Sequence, residues 1–198
     1  MSSDGGPDPG GGAAAVARAA RALARGDLCA LPTETYYALG ADALSSAALA
    51  RLLEAKGRAP EQGISLLLEP EMLGMVAARV PPEARALMDA HWPGPLTIAL
   101  PARPELLAPL VRAGCVAVRV SPAPLARALV RALGRPVTAT SANPAGAPPP
   151  RTAAAVRRYF SDLLVLDGGE TPGGPPSTLV RATGHGGLEL LRAGPIII

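Results

Sequence analysis

Residues 28–31 form a short apolar run that reads as a strand, and residues 45–55 form an Ala- and Leu-rich run that reads as a helix. Between them lies Pro32-Thr33-Glu34-Thr35-Tyr36-Tyr37-Ala38-Leu39-Gly40, which reads as a loop carrying two threonines, a carboxylate and two tyrosines. A strand that ends in a polar loop and leads into a helix is where open α/β sheets seat their ligands. Sixteen residues beyond Gly40 comes Lys56-Gly57-Arg58, and the two loops are expected to face one cleft.

The other apolar runs are also strand-sized. Residues 64–68 show no polar alternation, which predicts a central strand covered on both faces. Strands are further expected at 96–100, 115–120, 137–140, 163–166, 178–180 and 188–192, the last two as a hairpin. Helices are expected at 13–25, 70–78, 82–90, 105–111, 124–133 and 152–160, with Gly26 and Gly134 as C-caps and Thr152 as an N-cap. Trp92-Pro93-Gly94-Pro95 reads as a rigid turn, and 144–150 and 167–176 as Pro/Gly-rich loops. The order predicts an α/β fold: a single domain over 13–198 with a twisted mixed, partly parallel sheet flanked by helices. Residues 1–12 read as a disordered tail.

Composition narrows the function. No apolar run approaches the roughly 18 residues of a membrane span, and no secretory signal opens the chain. Cys29 and Cys115 fall in predicted strands and read as buried small hydrophobes. With His91 and His185 they make no metal-site spacing, so no metal ligands are expected and the compartment reads as reducing and cytoplasmic. Net charge is only +3, with the basic residues scattered. Of nineteen basic residues eighteen are Arg, and the one Lys is Lys56. A surviving Lys marks a place where a compact point charge fits and a guanidinium does not.

Polar groups interrupt the apolar pattern at few places. Lys56 and Arg58 flank a glycine, which suits a polyphosphate or carboxylate, or alternatively a solvated helix C-terminus. Arg119 sits inside a β-branched strand, either as a carboxylate clamp in a cleft or facing water on an edge strand. Ser141 and Asn143 end a strand and suit a nucleotide or an ordinary turn. Ser177 and Thr178 follow a glycine-rich loop able to expose an anion-binding nest. Tyr36 and Tyr37 divide into one cleft residue and one core residue. No Walker-type loop, Gly-x-Gly-x-x-Gly or Ser/His/acid set is present.

Taken in order, these pieces resemble the YrdC/Sua5 family of threonylcarbamoyl-AMP synthases. The matching motifs are Pro-Thr-Glu-Thr-x-Tyr-x-Leu-Gly at 32–40, Lys-Gly-Arg at 56–58, Trp-Pro-Gly-Pro-Leu-Thr at 92–97, Val-Ala-Val-Arg at 116–119, Thr-Ser-Ala-Asn-Pro-x-Gly at 140–146, Pro-Ser-Thr at 176–178 and Leu-Arg-x-Gly at 191–194. The resemblance implies a YrdC/RibB-like sheet around a deep basic cavity. It also implies synthesis of L-threonylcarbamoyladenylate from L-threonine, bicarbonate and ATP, with pyrophosphate released and Mg2+ as a cofactor. The product would serve the t6A37 modification of tRNA, with tRNA or the threonylcarbamoyl-transfer machinery as partners. By the family pattern Lys56 and Arg58 hold the phosphates as the catalytic cations. Ser141, Asn143 and Arg192 complete the ATP site, and Thr33, Thr35, Arg119 and Ser177 bind threonine, with Arg119 on its carboxylate. The chain departs from the pattern at Tyr36, Ala38, Ala59, Gly63, Leu67 and Cys115, and the C-terminal Sua5 domain of longer members is not expected.

Two other readings stand beside this one. The same domain resembles the carbamoyl-adenylate-forming part of hydrogenase-maturation carbamoyltransferases. A non-catalytic RNA-binding module is the second, although aromatic residues at 3% leave little for base stacking.

Overall fold

The computed structural model describes residues 9–57, 63–183 and 186–198. Arg58, Ala59, His185 and the first eight residues of the expected tail lie outside them.

Helix α1 spans Pro9–Ala24, starting earlier than its apolar periodicity suggests, and Gly26 follows it in a left-handed conformation. Strand β1 (Cys29–Pro32) then turns back into β2 (Tyr37–Gly40) as an antiparallel hairpin. Half of the expected loop at 32–40 is therefore strand. All four residues of β2 are buried, and Tyr37 carries the register opposite Pro32. Helix α2 (Ser46–Lys56) is capped at both ends, and Ser45, expected as its first residue, is its N-cap instead. The Ser45 side chain accepts from the Ala48 amide, and Gly57 closes the helix in the left-handed region that favours glycine.

Strand β3 is short (Leu66–Leu67) but central, pairing parallel with β6 (Cys115–Arg119) and antiparallel with β7 (Val137–Thr138). The predicted helix at 70–78 is a 3-10 turn, Pro70–Met72, followed by one α turn, α3 (Leu73–Val76). Helix α4 covers Pro82–His91 and β4 covers Leu96–Pro101. The Trp92–Pro93 bond between them is cis. A Cβ on Gly94 would stand 2.2 Å from the His91 carbonyl oxygen, so this turn requires glycine.

The expected helix at 105–111 is absent. Residues Ala108–Leu110 make a 3-10 turn and β5 (Val111–Arg112) hairpins onto β6. Its leucines have helical spacing, but Pro109 sits where a longer helix would need an amide donor. Helix α5 (Pro124–Leu133) ends at a left-handed Gly134, as expected. Next come β8 (Thr140–Ser141) and α6 (Ala153–Tyr159), whose N-cap Thr152 accepts from the Ala155 amide. The chain closes with β9 (Leu164–Val165) and the antiparallel pair β10 (Thr178–Ala182) and β11 (Leu188–Arg192).

The strands form a twisted, mixed sheet in two hydrogen-bonded parts. One has the order β8-β2-β1-β9 and the other β11-β10-β4-β6-β3-β7, with β5 beside β6. The bridge between Asp42 and Val137, and the Ala41 amide donating to Thr138 Oγ1 at 2.8 Å, join the two parts. One apolar cluster gathers α2, α4 and the inner faces of β2, β4 and β6. The other packs α1 and α5 against β1. Among the described residues no helix is long and apolar enough to cross a membrane.

Candidate active site

The two parts of the sheet face each other across a cleft of about 440 Å³. Eight predicted site residues line it: Thr33, Thr35, Lys56, Arg119, Ser141, Asn143, Ser177 and Arg192. They come from six elements spread over most of the chain, so the topology itself assembles the site.

The β1–β2 turn forms one wall. Thr33 Oγ1 donates to the Tyr36 carbonyl at 2.7 Å and accepts from the Thr35 amide at 3.3 Å. This hydroxyl shapes the turn, and the Thr35 hydroxyl stands 3.4 Å from it. The Gly173 amide donates to the Thr35 carbonyl at 2.7 Å, which fixes the 167–176 loop on the turn. Tyr36 faces the cleft, whereas Tyr37 is fully buried and its phenol donates to the Gly169 carbonyl at 2.8 Å. The two tyrosines thus divide as their sequence context suggests.

Lys56 is not a solvated helix end. It is 8% exposed, and Nζ donates to the carbonyls of Ser141 at 2.8 Å and Asn143 at 2.6 Å. Burial pulls its pKa below the ordinary lysine range. Gly57, beside it, is the left-handed cap of α2. The Asn143 amide group donates from Nδ2 to the carbonyls of Pro144 at 2.9 Å and Ala147 at 2.7 Å. Its Oδ1 is buried without a hydrogen-bond partner among the described residues. A buried acceptor of this kind calls for a donor from a ligand or solvent.

Arg119 ends β6, a strand flanked on both sides, and is only 7% exposed, which excludes the edge-strand alternative. Its Nη1 donates to Glu34 Oε1, and Glu34 Oε2 accepts from Ser121 Oγ at 2.7 Å. Burial first, and then the neighbouring Arg192 guanidinium, pull Arg119 down to about 10, still charged at neutral pH. Arg192 donates to the Ser177 carbonyl from Nε at 3.0 Å and from Nη2 at 2.9 Å, and to Ser177 Oγ at 3.1 Å. Ser177 Oγ also lies 2.7 Å from Thr97 Oγ1. Arg192 and Ser177, which the sequence assigns to different substrates, are therefore one hydrogen-bonded group.

The sequence named Glu34 among its polar groups and one tyrosine as a cleft wall without giving either a ligand role, and it passed over Thr97. Thr97 had a signal, being the lone polar residue in the apolar run 96–100. Glu34 had another, in its alternation with two threonines that line the cleft. Of the departures from the family pattern, Tyr36, Ala38 and Gly63 line the cleft. Leu67 is instead buried in the apolar cluster with α5, and Cys115 lies at the far end of β6, so neither alters the cleft wall. Both cysteines are free, and burial pushes the Cys29 thiol up to about 12. A second cavity, between α1, α2 and residues 162–164, is lined by Arg18, Arg25 and Arg51 and holds none of the predicted site residues.

The lining carries Lys56, Arg119 and Arg192 and, among the described residues, no carboxylate. Such a lining, with hydroxyl and amide neighbours, has the charge that an anionic ligand requires. The sequence profile of the Sua5/YciO/YrdC family, described as telomere recombination, matches residues 21–194. The chain belongs to this family. It is 38% identical over 170 residues to the threonylcarbamoyl-AMP synthase of Bacillus subtilis, which covers 83% of this chain and 49% of that protein. It is 42% identical over 167 residues to the synthase of Halorhodospira halophila, covering 79% of this chain and 86% of that one. The crystal structure of Pyrococcus abyssi Sua5 complexed with L-threonine superposes with a TM-score of 0.82 at 37% identity, over 90% of this chain and 54% of that one. The chain thus spans about half the length of some curated relatives and most of the length of others.

Proposed function

We propose that this family member makes L-threonylcarbamoyladenylate from L-threonine, bicarbonate and ATP, releasing pyrophosphate. One observation carries the reading: a single cleft brings together a buried arginine suited to a carboxylate, a second guanidinium, and a lysine beside a strand end with an unpartnered amide oxygen. In this reading the Arg119 guanidinium takes the threonine carboxylate, with Thr35 and Ser177 beside it and Thr33 shaping the turn. Lys56, Arg58 and Arg192 hold the triphosphate. Ser141 and Asn143 take the nucleoside, with Asn143 Oδ1 accepting from one of its N–H or O–H groups.

The chemistry needs no side-chain nucleophile. The threonine amine adds to the carbon of bicarbonate, and loss of water leaves a carbamate. A carbamate oxygen then attacks the α-phosphorus, the bond to the β-phosphate oxygen breaks, and pyrophosphate leaves. Negative charge grows on phosphate oxygens, so fixed cations supply most of the stabilisation. Walls that exclude water protect both the carbamate and the mixed anhydride from hydrolysis. Among the described residues no group of three His, Cys, Asp or Glu side chains forms a metal-ligand set. Glu34, the carboxylate at Arg119, is engaged by Arg119 and Ser121. The described residues do not fit a protein-held Mg2+, and such an ion would arrive on the triphosphate. In this reading the product feeds t6A37 modification of tRNA and the protein works in the cytoplasm.

The test is pyrophosphate release from ATP and bicarbonate with L-threonine, beside serine, glycine and carbamoyl phosphate. Threonine-dependent release that disappears in Lys56→Ala is the expected result. Release only with carbamoyl phosphate would move the chain to carbamoyltransferase chemistry. No release with any of them, together with salt-sensitive RNA binding, would favour a binding module.

A further inference from the structure

Glu34 stands between two threonines that line the cleft, yet it does not line the cleft itself. Its carboxylate bonds Arg119, the last residue of β6, and Ser121, two residues further on. One oxygen accepts from Arg119 Nη1, the other from Ser121 Oγ. Ser121 Oγ in turn accepts from the Ala123 amide at 3.2 Å, which pins the hydroxyl just ahead of α5. The carboxylate is therefore held in place and itself holds the guanidinium.

Arg119 has reason to need such a holder. Arginine has many rotamers, and here a second guanidinium, Arg192, stands close enough to disfavour its charge. The two neighbouring cations, Arg119 buried and Arg192 part-buried, repel each other. We propose that Glu34 is a positioning residue: with Ser121 it grips the Arg119 guanidinium from outside the cleft, so that the donors Glu34 does not use face the carboxylate of the amino-acid substrate. The proposal rests on the reading that Arg119 binds that carboxylate. It distinguishes Glu34 from a competitor, which would occupy the cleft and have to be displaced.

The sign of the effect separates the two roles. Removing a negative charge beside Arg119 should, by charge alone, tighten binding of a carboxylate. Losing the grip should weaken it. The experiment measures KM for L-threonine and for ATP, L-threonine binding by calorimetry, and the melting midpoint. It compares the full chain with Glu34→Ala, Glu34→Gln, Glu34→Asp and Ser121→Ala. The expected result is a rise in threonine KM of at least roughly tenfold in Glu34→Ala. A rise is also expected in Glu34→Gln, with partial recovery in Glu34→Asp, a smaller rise in Ser121→Ala and little change in ATP KM. Should Glu34→Ala not fold, the Asp and Ser121 variants carry the test. An unchanged or lower threonine KM in these variants overturns the proposal, as does an equal loss in both KM values that follows the melting midpoint. Wild-type protein that neither binds L-threonine nor releases pyrophosphate overturns the functional reading and this proposal together. Wild-type turnover that Glu34→Gln leaves unaltered overturns this proposal alone.

Discussion

Replacing Lys56 tests the most unusual cation of the chain. Its ammonium donates to two backbone carbonyls, at 2.8 and 2.6 Å, across the gap between the end of α2 and the strand end at Ser141–Asn143. Each such hydrogen bond to a charged group contributes roughly 1.5–3 kcal/mol. Burial of the ammonium opposes this, which is why its pKa is lowered. Lys56→Met removes both bonds, relieves the desolvation and keeps the apolar stem. The net cost is about 2–4 kcal/mol, since two carbonyls then rely on solvent at the cleft. For a chain of this size each kcal/mol moves the melting midpoint by roughly 2–4 °C, so the fall is about 4–16 °C.

Lys56→Arg separates charge from shape. It keeps the cation but replaces a compact ammonium, on which two carbonyls converge, with a longer planar fork. The expected outcome is a Tm near wild type or lower and pyrophosphate release reduced at least roughly tenfold, equivalent to about 1.4 kcal/mol. Thermal unfolding by circular dichroism and a coupled pyrophosphate assay read the two effects. A fully active Lys56→Arg refutes the argument that this site requires a point charge. A Lys56→Met protein with unchanged midpoint refutes the role of the two carbonyl bonds.

Three further outcomes follow from bonds away from the substrates. Glu69 is buried and accepts from Arg127 at 2.8 and 2.7 Å and from Arg131 at 2.9 Å. These bonds, Arg127 first, hold its pKa below the ordinary 4.5 against the opposing effect of burial. Its stabilising contribution is therefore complete above pH 4.5 and is lost as pH falls through the lower folded value. Glu69→Gln should lose stability less steeply in that acid window, as read by urea midpoints against pH. Tyr37→Phe strips the Gly169 carbonyl of its donor and the Gly168 amide of its acceptor, and should cost about 1–3 kcal/mol in urea unfolding. In Gly194→Ala the new Cβ would meet the Thr178 amide nitrogen at 2.3 Å. The end of β11 must shift, lowering stability by about 1–3 kcal/mol and raising the KM for ATP through Arg192.

How far the sequence revealed the fold depended on whether the deciding interaction was local. Caps are local, and Thr152 and Gly134 marked their helix ends correctly. Strand β2 was missed because Tyr37–Gly40 carries polar-loop neighbours, and its pairing with β1 becomes evident only once the turn at 33–36 closes. The helix expected at 105–111 failed because apolar spacing outweighed Pro109 in the reading, while strand pairing with β6 decided the structure. At the site, residue types were legible and partners were not. Lys56 was conspicuous as the lone lysine, but the carbonyls that hold it belong to Ser141 and Asn143 and leave no trace in side-chain identity. Arg119 was legible as a charge in an apolar strand, whereas its engagement by Glu34 required a contact across 85 residues.

These partners bear on how the cleft works. The polar groups that the sequence offers as ligands are already bonded to one another: Thr33 to its own turn, Ser177 to Thr97 and Arg192, Lys56 to two carbonyls and Arg119 to Glu34. Such bonds fix the donors before any ligand arrives, so little reorganisation is left for the reacting step. They also limit what binding can gain. An ammonium with three donors has given two to carbonyls, and a hydroxyl that shapes a turn has its directions set. A ligand in this cleft must therefore gain chiefly from charge meeting the remaining donors of fixed cations, and from the unpartnered Asn143 Oδ1. That arrangement favours an anion carrying one well-placed donor over a neutral polar molecule of the same size. An analogue without the carboxylate, such as threonine amide, should consequently bind far more weakly than threonine, even though it keeps every hydroxyl and amine contact.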